Sequence, residues 1–361
     1  MNIKESVLKY EEKAVFELRS LYRRYGFLPY KMSKFEEYDL YVRNKDFLVS
    51  DHIITFTDTD GKLMALKPDV TLSIIKNGKD TDGFVQKLCY NENVYRVTKG
   101  AQSFKEIMQV GLECIGDIDK YNIYEVIMLA AESLSKISDE YVLDISHLGI
   151  LDSVMQNMSI SDELKSKILK CIGEKNIHEL AALLLADGKD PEPIKKLVSL
   201  YGQPEAVLNE LKKFDFVSQM LVKELEDIVL LLEGAGYGKH IRIDFSVVND
   251  VNYYNGFVFK GFIKNVATGV LSGGQYDKLM NKLGRTSCAI GFAVYLDMLE
   301  RLDASENEYD VDALLLYGDD AELSALANAV KLLSENGKSV MVQKNIPSQI
   351  RYKQLLMLKE R

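Results

Sequence analysis

Cysteine and histidine are scarce in this sequence, and neither occurs in a metal-binding pattern. The chain has four cysteines and four histidines among 361 residues. The cysteines lie far apart without a CxxC pair, and the histidines form no HxxxH or HxxE pair. Such spacing disfavours a zinc site or a disulfide framework. We therefore expect buried, reduced thiols and no bound metal.

Positive charge is also in short supply. The sequence has 45 lysines and arginines against 54 acidic residues, which gives a net charge of −9. Nucleic-acid binding draws most of its affinity from neutralised phosphates, so an acidic chain needs a locally basic face. No run of lysines and arginines provides one here. The sequence therefore predicts no nucleic-acid partner.

Long hydrophobic runs are missing as well. No apolar run approaches the length of a membrane span. The first twenty residues, MNIKESVLKYEEKAVFELRS, are typical of a charged amphipathic helix and lack the apolar block of a signal peptide. We therefore expect a cytoplasmic protein that does not associate with a membrane.

Residues 1–148 carry the pattern of a sheet flanked by helices. A helix is predicted at 7–21, and the stretch FLVSDHIITFTDTDGKLMALK predicts a hairpin that turns at Asp60 and Gly61. Further strands are predicted at LCYNENVYRV and FKEIMQVGLECIG, followed by a periodic helix at YNIYEVIMLAAESLSKI. Because hairpins and not helical crossovers join these strands, the sheet is expected to be antiparallel.

Residues 149–236 change character. They read as short amphipathic helices broken by glycine and proline, which predicts an all-helical insertion. Sheet pattern returns in residues 237–305, whose last strand and helix are expected to complete the first sheet. Residues 310–361 predict a small, partial α/β domain. The fold class predicted is therefore α+β.

Four stretches carry notable polar side chains, and three of them also contain glycine. The acid and threonine of LKPDVT follow an apolar strand and look suited to a small zwitterion. In MQVGLECIG, alternation points Gln109, Gly111 and Glu113 to one face, and a buried acid there needs a cationic or hydrogen-bonding partner. The glycine pair of LSGGQYD fits a ligand site or a turn. The tyrosines of NDVNYYNGFVF fit a ligand site or a core. The residues alone leave both interpretations open.

The order of these stretches resembles the catalytic domain of histidyl-tRNA synthetases, which are class II aminoacyl-tRNA synthetases. The resemblance runs from about residue 5 to residue 301 and includes AIGFAVYLDMLERL near its end. It implies an antiparallel class II sheet flanked by helices. It also implies a dimer interface around Pro29, because GFLPYK is similar to the first class II motif.

The same resemblance assigns a histidine site. It implies that Asp69, Thr71 and Gln109 bind the α-amino group of histidine. It further implies that Glu113 and Tyr254 read the imidazole ring.

The sequence departs from the synthetase pattern where ATP is bound. A synthetase stabilises the negative charge on the α-phosphate with arginines, of which Arg96 is present. Asn249, Gln275 and Met298 stand where the family has further arginines. A methionine cannot replace a guanidinium fork, and loss of one transition-state donor costs about 10²–10³ in rate. These four positions therefore predict a vestigial nucleotide site without catalytic residues.

The sequence keeps the residues of the histidine site and replaces most arginines of the ATP site. This combination resembles the regulatory subunits of ATP phosphoribosyltransferase, a paralogous family in histidine biosynthesis. That resemblance implies a non-catalytic partner for the short catalytic subunit, L-histidine as effector, and no cofactor. It implies a homodimer within a hetero-octamer of four and four. Residues 310–361 amount to about half an anticodon-binding domain, in keeping with the lack of a tRNA partner.

Two alternatives remain open from the sequence. The first is a divergent histidyl-tRNA synthetase or another histidine-adenylating enzyme, which Arg96 and the intact amino-acid residues support. The second is a histidine-sensing module for some other partner.

Overall fold

The protein is described from a computed structural model, which describes residues 8–45, 48, 52–81, 83–97, 103–248, 254–299 and 309–358. It divides into two compact units, Met1–Glu300 and Arg301–Arg361. The helices are α1 (Tyr10–Arg24), α2 (Tyr38–Val42), α3 (Thr71–Asn77), α4 (Lys120–Ile137), α5 (Leu148–Asn157), α6 (Asp162–Gly173), α7 (Ile177–Ala186), α8 (Glu192–Val198), α9 (Pro204–Leu211), α10 (Gln219–Gly234), α11 (Asp277–Lys282) and α12 (Leu323–Glu335). The strands are β1 (Leu28–Pro29), β2 (Phe35–Glu37), β3 (Thr55–Thr57), β4 (Leu63–Leu66), β5 (Val85–Val97), β6 (Phe104–Gly116), β7 (Tyr141–His147), β8 (Tyr201–Gly202), β9 (Ile241–Asp244), β10 (Phe257–Ile263), β11 (Leu271–Gln275), β12 (Cys288–Tyr295), β13 (Val311–Leu316), β14 (Val340–Gln343) and β15 (Tyr352–Met357).

A large sheet organises the first unit, and the predicted α+β class is confirmed. Within the described residues the sheet has nine strands in the order β1-β5-β6-β12-β11-β10-β7-β9-β8. The strands β5 and β6 pair over their whole length, and β12 pairs antiparallel with β6. The late strand thus completes the early sheet, as the sequence predicts. The purely antiparallel expectation is wrong at two places, since β1 pairs parallel with β5 and β7 pairs parallel with β9.

Helices α1 and α4 cover one face of this sheet. Tyr22 of α1 packs edge-on against Phe292 of β12, and its hydroxyl lies 3.0 Å from the hydroxyl of Ser133 in α4. Side chains alternate across a strand, so the neighbours of Phe292 in β12, Gly291 and Ala293, lie on the opposite face. That opposite face carries the site described below.

The predicted hairpin forms, and it belongs to a separate sheet. Strands β3 and β4 pair antiparallel around a turn that contains Asp60 and Gly61, and β2 joins the other edge of β4. Gly61 has φ +78°, a left-handed conformation that glycine adopts without a Cβ clash. Strand β4 of this small sheet ends at Leu66, shortly before α3 begins at Thr71. The first turn of α3 lies beside the large sheet, where Thr71 hydrogen-bonds to Glu113.

Between β7 and β9 the chain is mostly helical, with α5 to α10 in succession. The expectation of an all-helical insertion is wrong in one detail. Tyr201 and Gly202 form the short strand β8, which pairs antiparallel with Asp244 and Ile243 of β9. Two residues are too short for an alternating pattern, which is why the sequence does not reveal this strand.

The second unit contains a parallel sheet in the order β14-β13-β15, and α12 links β13 to β14. This arrangement fits the small α/β unit predicted for residues 310–361. The strand β15 was not predicted from the sequence. Its inner neighbour β13 contributes the buried residues Ala313, Leu314 and Leu315.

Candidate functional site

A polar cleft lies on the open face of the large sheet, over β5, β6, β11 and β12. It brings together all five side chains predicted to bind histidine, together with Arg96. The residues that line it are Asp69, Val70, Thr71, Tyr90, Arg96, Gln109, Glu113, Tyr254, Ser272, Tyr276, Gly291, Phe292, Ala293 and Tyr295. These positions span more than 220 residues of sequence, and only the fold makes them neighbours.

The cleft is narrow. It has a cavity volume of about 50 Å³, and on this measure about 10–15 Å³ is enough to hold one water molecule. Four tyrosine side chains border it, at positions 90, 254, 276 and 295.

Glu113 is the most enclosed acid in the cleft. Only 2% of its surface is exposed. Thr71 Oγ1 donates a hydrogen bond to Glu113 Oε1 at 2.7 Å, and the Tyr276 hydroxyl donates to Oε2 at 2.6 Å. Burial raises the pKa of Glu113 to about 8, although both hydroxyl hydrogen bonds lower it. The need for hydrogen-bonding partners, expected from the sequence, is thus met by two hydroxyls.

A glycine in the neighbouring strand makes room for this acid. Gly291 of β12 lies opposite Glu113 in the register. A Cβ at Gly291 would lie 1.8 Å from Glu113 Oε2 and 2.5 Å from the carbonyl oxygen of Leu112. Any side chain at this position would push the carboxyl group out of place. The sequence analysis missed Gly291, and a glycine inside a strand pattern is the signal that could have found it.

A second glycine lets a tyrosine approach the sheet. A Cβ at Gly274 would lie 2.8 Å from Tyr254 Cδ1 and 2.7 Å from the carbonyl oxygen of Phe257. Gly274 therefore allows a side chain to approach the sheet closely, which is neither the turn nor the ligand contact considered from the sequence.

Asp69 and Thr71 reach the cleft from the start of α3. The backbone N–H of Leu72 donates to Asp69 Oδ1 at 2.8 Å, which fixes the acid against the first turn of the helix. Lys67, the basic residue of the same stretch, does not line the cleft. Its side chain is fully buried and forms an ion pair with Glu92, so it supports the structure beneath the site.

Arg96 lies among the cleft residues and is 9% exposed. Its guanidinium carbon lies 5.7 Å from the centroid of the Tyr295 ring, a cation–π geometry. Of the residues named above as lining the cleft, it is the one arginine, and no lysine is among them.

Two of the other predicted nucleotide positions, Gln275 and Met298, do not join Arg96. Gln275 Oε1 accepts a hydrogen bond from the backbone N–H of Phe257 at 2.7 Å. The Thr268 hydroxyl donates to Met298 Sδ at 3.4 Å. Neither Gln275 nor Met298 is among the cleft-lining residues in the described ranges, and Asn249 lies outside the described residues.

Tyr90 and Tyr276 were not predicted as site residues. Burial raises the pKa of both phenols well above their usual value, and the nearby charge of Glu113 acts in the same direction. Both phenols therefore stay protonated and can donate hydrogen bonds in the cleft. The tyrosine of the SGGQYD stretch was visible in the sequence, but nothing in the spacing linked it to Glu113.

The parts of the chain that the structure describes offer neither a metal site nor a membrane span. No three cysteine, histidine or acidic side chains converge there in a way that could hold a metal ion. Across the described ranges, no helix is both long enough and apolar enough to cross a membrane. All four cysteines are free thiols; Cys288 is half-buried and the other three are buried.

This chain is similar to several known proteins and solved structures. The ATP phosphoribosyltransferase regulatory subunit of Alkaliphilus metalliredigens is 29% identical over 289 residues, which cover 76% of this chain and 72% of the relative. A solved structure from Bacillus halodurans, described as an ATP phosphoribosyltransferase regulatory subunit/histidyl-tRNA synthetase, has a TM-score of 0.75 at 22% identity. The match covers 96% of this chain and 93% of that one.

A second solved structure is the ATP phosphoribosyl transferase (HisG:HisZ) complex from Thermotoga maritima. The matched chain has a TM-score of 0.63 at 21% identity, over 79% of this chain and 97% of that one. At such identities the two structures establish the fold, which is the class II synthetase-like α+β fold predicted from the sequence. The family model described as histidyl-tRNA synthetase matches residues 2–299. With most of its length matched in this way, the chain belongs to the histidyl-tRNA synthetase family.

Proposed function

We propose that this chain is the non-catalytic regulatory subunit of ATP phosphoribosyltransferase. In this role it assembles with the short catalytic subunit, which transfers the phosphoribosyl group of PRPP to ATP in the first step of histidine biosynthesis. The composition of the cleft carries the proposal. Five side chains suited to a free amino acid line it, with a single arginine beside them.

The amino-acid end of the cleft fits histidine. Asp69 supplies a negative charge for the α-ammonium group, and Thr71 and Gln109 supply neutral hydrogen-bonding groups nearby. Glu113 and Tyr254 offer partners for the imidazole nitrogens. An effector site needs residues that bind one amino acid, and it does not need residues that activate that amino acid.

The nucleotide end does not fit adenylation. Stabilising the charge that builds on an α-phosphate takes several convergent donors. Arg96 is the only guanidinium among the cleft-lining residues of the described chain. Gln275 and Met298 hydrogen-bond to Phe257 and Thr268 instead. The names of the curated relatives, which are regulatory subunits, support the same assignment.

Feedback by histidine then follows from linkage. Histidine can inhibit only if it binds the inhibited assembly more tightly than the active one, and a coupling of about 1–3 kcal/mol is sufficient. The proposed assembly is a hetero-octamer in the cytoplasm, in which this chain forms homodimers through the Pro29 region. Pro29 lies in the short strand β1, on the outer side of β5.

Reconstitution tests this function. The phosphoribosyltransferase activity of the short catalytic subunit is measured with and without this chain, and histidine is then titrated into the mixture. We expect activity to require this chain and to fall as histidine is added. Equal activity with and without it would contradict the proposal and would favour a histidine sensor for another partner.

Arg96 favours one alternative, a divergent histidine-adenylating enzyme. An ATP–pyrophosphate exchange assay with histidine separates the two functions, because exchange requires formation of an adenylate. We expect no exchange above the rate without enzyme. Measurable exchange would replace the regulatory proposal by the enzymatic one.

A further inference from the structure

Tyr254 and Tyr276 are each followed by a polar residue, and these two polar residues hydrogen-bond to each other. Tyr254 precedes Asn255, and Tyr276 precedes Asp277. Asn255 Nδ2 donates to Asp277 Oδ2 at 2.9 Å, and the backbone N–H of Asp277 donates to Asn255 Oδ1 at 2.7 Å. We call this pair of hydrogen bonds the Asn255–Asp277 clasp.

The clasp is fastened to the large sheet. The backbone N–H of Ala289, in β12, donates to Asp277 Oδ1 at 2.8 Å. The backbone N–H of Asn255 donates to the carbonyl oxygen of Gln275 at 3.0 Å. One carboxylate thus joins the segment that carries Tyr254, the first turn of α11 and the start of β12. Both clasp side chains are half-buried, so water competes only partly for these bonds.

The clasp holds both tyrosines in relation to Glu113. Consecutive Cα atoms are about 3.8 Å apart, so fixing Asn255 and Asp277 also fixes the backbone from which Tyr254 and Tyr276 project. The Tyr276 hydroxyl reaches Glu113 at 2.6 Å, and Tyr254 lines the same cleft. Neither Asn255 nor Asp277 is itself among the cleft-lining residues of the described chain.

We infer that the Asn255–Asp277 clasp sets the specificity of the cleft for a nitrogen-containing ring by holding the Tyr276 hydroxyl against Glu113 and Tyr254 in the cleft lining. Asn255 and Asp277 are positioning residues, because they act through the tyrosines. The inference rests on the proposed function, in which histidine occupies this cleft.

The donor and acceptor pattern of the clasp allows a sharp test. Asn255→Asp places two carboxylates face to face. Asp277→Asn keeps an oxygen for the N–H of Ala289 and therefore turns an amide NH₂ towards the NH₂ of Asn255. Each single variant breaks the side-chain bond of the clasp and leaves its backbone bond in place. The combined Asn255→Asp/Asp277→Asn variant exchanges the two groups and restores a complementary pair.

Titration calorimetry with two ligands separates specificity from general damage. The ligands are L-histidine and β-(2-thienyl)-L-alanine, which has the same amino and carboxyl groups but a ring without nitrogen. We expect each single variant to bind histidine about tenfold more weakly, as loss of about one hydrogen bond implies. Binding of thienylalanine should stay the same, and the exchanged pair should regain the preference for histidine.

Asn93→Asp is the matched control. Asn93 Nδ2 donates to Glu106 Oε1 in another amide–carboxylate pair, on the exposed part of β5 and β6. The same change there should leave the preference for histidine unaltered. Thermal unfolding of every variant reports whether it is folded. If the single variants do not fold, the exchanged pair carries the test. A folded exchanged pair that prefers histidine as the wild type does supports the inference. A folded exchanged pair that lacks this preference overturns the inference.

The measurements distinguish a failure of the clasp inference from a failure of the proposed function. Wild-type protein that binds histidine, with single variants that keep its preference, overturns the clasp inference and leaves the proposed function intact. Wild-type protein that does not bind histidine at all overturns the proposed effector, and the inference with it.

Discussion

The two ends of the cleft rest on the same pair of strands and differ in how they are supported. At one end the buried carboxyl group of Glu113 accepts hydrogen bonds from Thr71 and Tyr276. At the other end Arg96 stacks on Tyr295, and no carboxylate of the described residues lies within ion-pair distance of it. Backbone pairing of β5 with β6 is independent of these side chains. One strand pair can therefore carry two groups of side chains that are supported in different ways.

The largest effect is expected from Gly291→Ala. The added methyl group would lie 1.8 Å from Glu113 Oε2, so the carboxyl group must move into the space that a ligand needs. Histidine affinity should fall by more than about a hundredfold in titration calorimetry. Gly234→Ala is the control, because a Cβ there meets nothing within 4 Å. Equal affinities for both variants would mean that histidine does not use the Glu113 end.

Glu113→Ala removes the acid without filling the cleft. The loss of a charge-assisted hydrogen bond to the imidazole should cost about 1.5–3 kcal/mol of binding free energy, which is roughly a ten- to hundredfold change in affinity. Glu106→Ala, at the exposed end of the same strand, is the control. Unchanged histidine affinity in the Glu113 variant would mean that the pocket no longer serves to bind histidine.

Glu113 should also make stability depend on pH. Its pKa is about 8 in the folded protein against an ordinary value of 4.5, so between these pH values the folded state holds a proton that the unfolded state has released. The free energy of unfolding then falls by about 1.4 kcal/mol per pH unit as pH rises through this window. Urea unfolding of wild type and Glu113→Gln between pH 5 and 8 measures the difference. The variant should lack this slope, and parallel curves would contradict the assignment.

The smallest effect is expected from Arg96→Met. If the nucleotide end is no longer used, loss of a cation–π contact of about 0.5–1 kcal/mol should be felt mainly in stability. Histidine affinity should change less than about threefold. Arg43→Met, an exposed arginine paired with Asp39, serves as the control. A hundredfold loss of histidine affinity in the Arg96 variant would mean that the two ends work together.

The sequence predicts the parts of this fold that have a local signal. Strand β6 coincides with the FKEIMQVGLECIG stretch, and the turn at Asp60 and Gly61 joins β3 to β4. Alternation also places Gln109 and Glu113 on one face, and both line the cleft. These features depend on periodicity and turn chemistry, which neighbouring residues determine.

Other parts depend on residues that are distant in sequence. The fit of Gly291 to Glu113 and the hydroxyl donated by Tyr276 arise from strand register, which spacing does not encode. The resemblance assigned Thr71 to an amino group, whereas here its hydroxyl also donates to Glu113. The parallel pairing of β7 with β9 has the same origin, since all of α5 to α10 lies between them.

The position of β6 in the sheet has a consequence for synthesis of the chain. One edge of β6 is covered by β5 at once, while its other edge pairs with β12, which begins at Cys288, 172 positions after β6 ends at Gly116. At translation rates of about 5–20 residues per second, that edge waits roughly ten to thirty seconds for its neighbour. An unpaired strand edge is a template for wrong pairing. The nascent chain therefore carries an open strand edge while the ribosome makes the helices between β7 and β9.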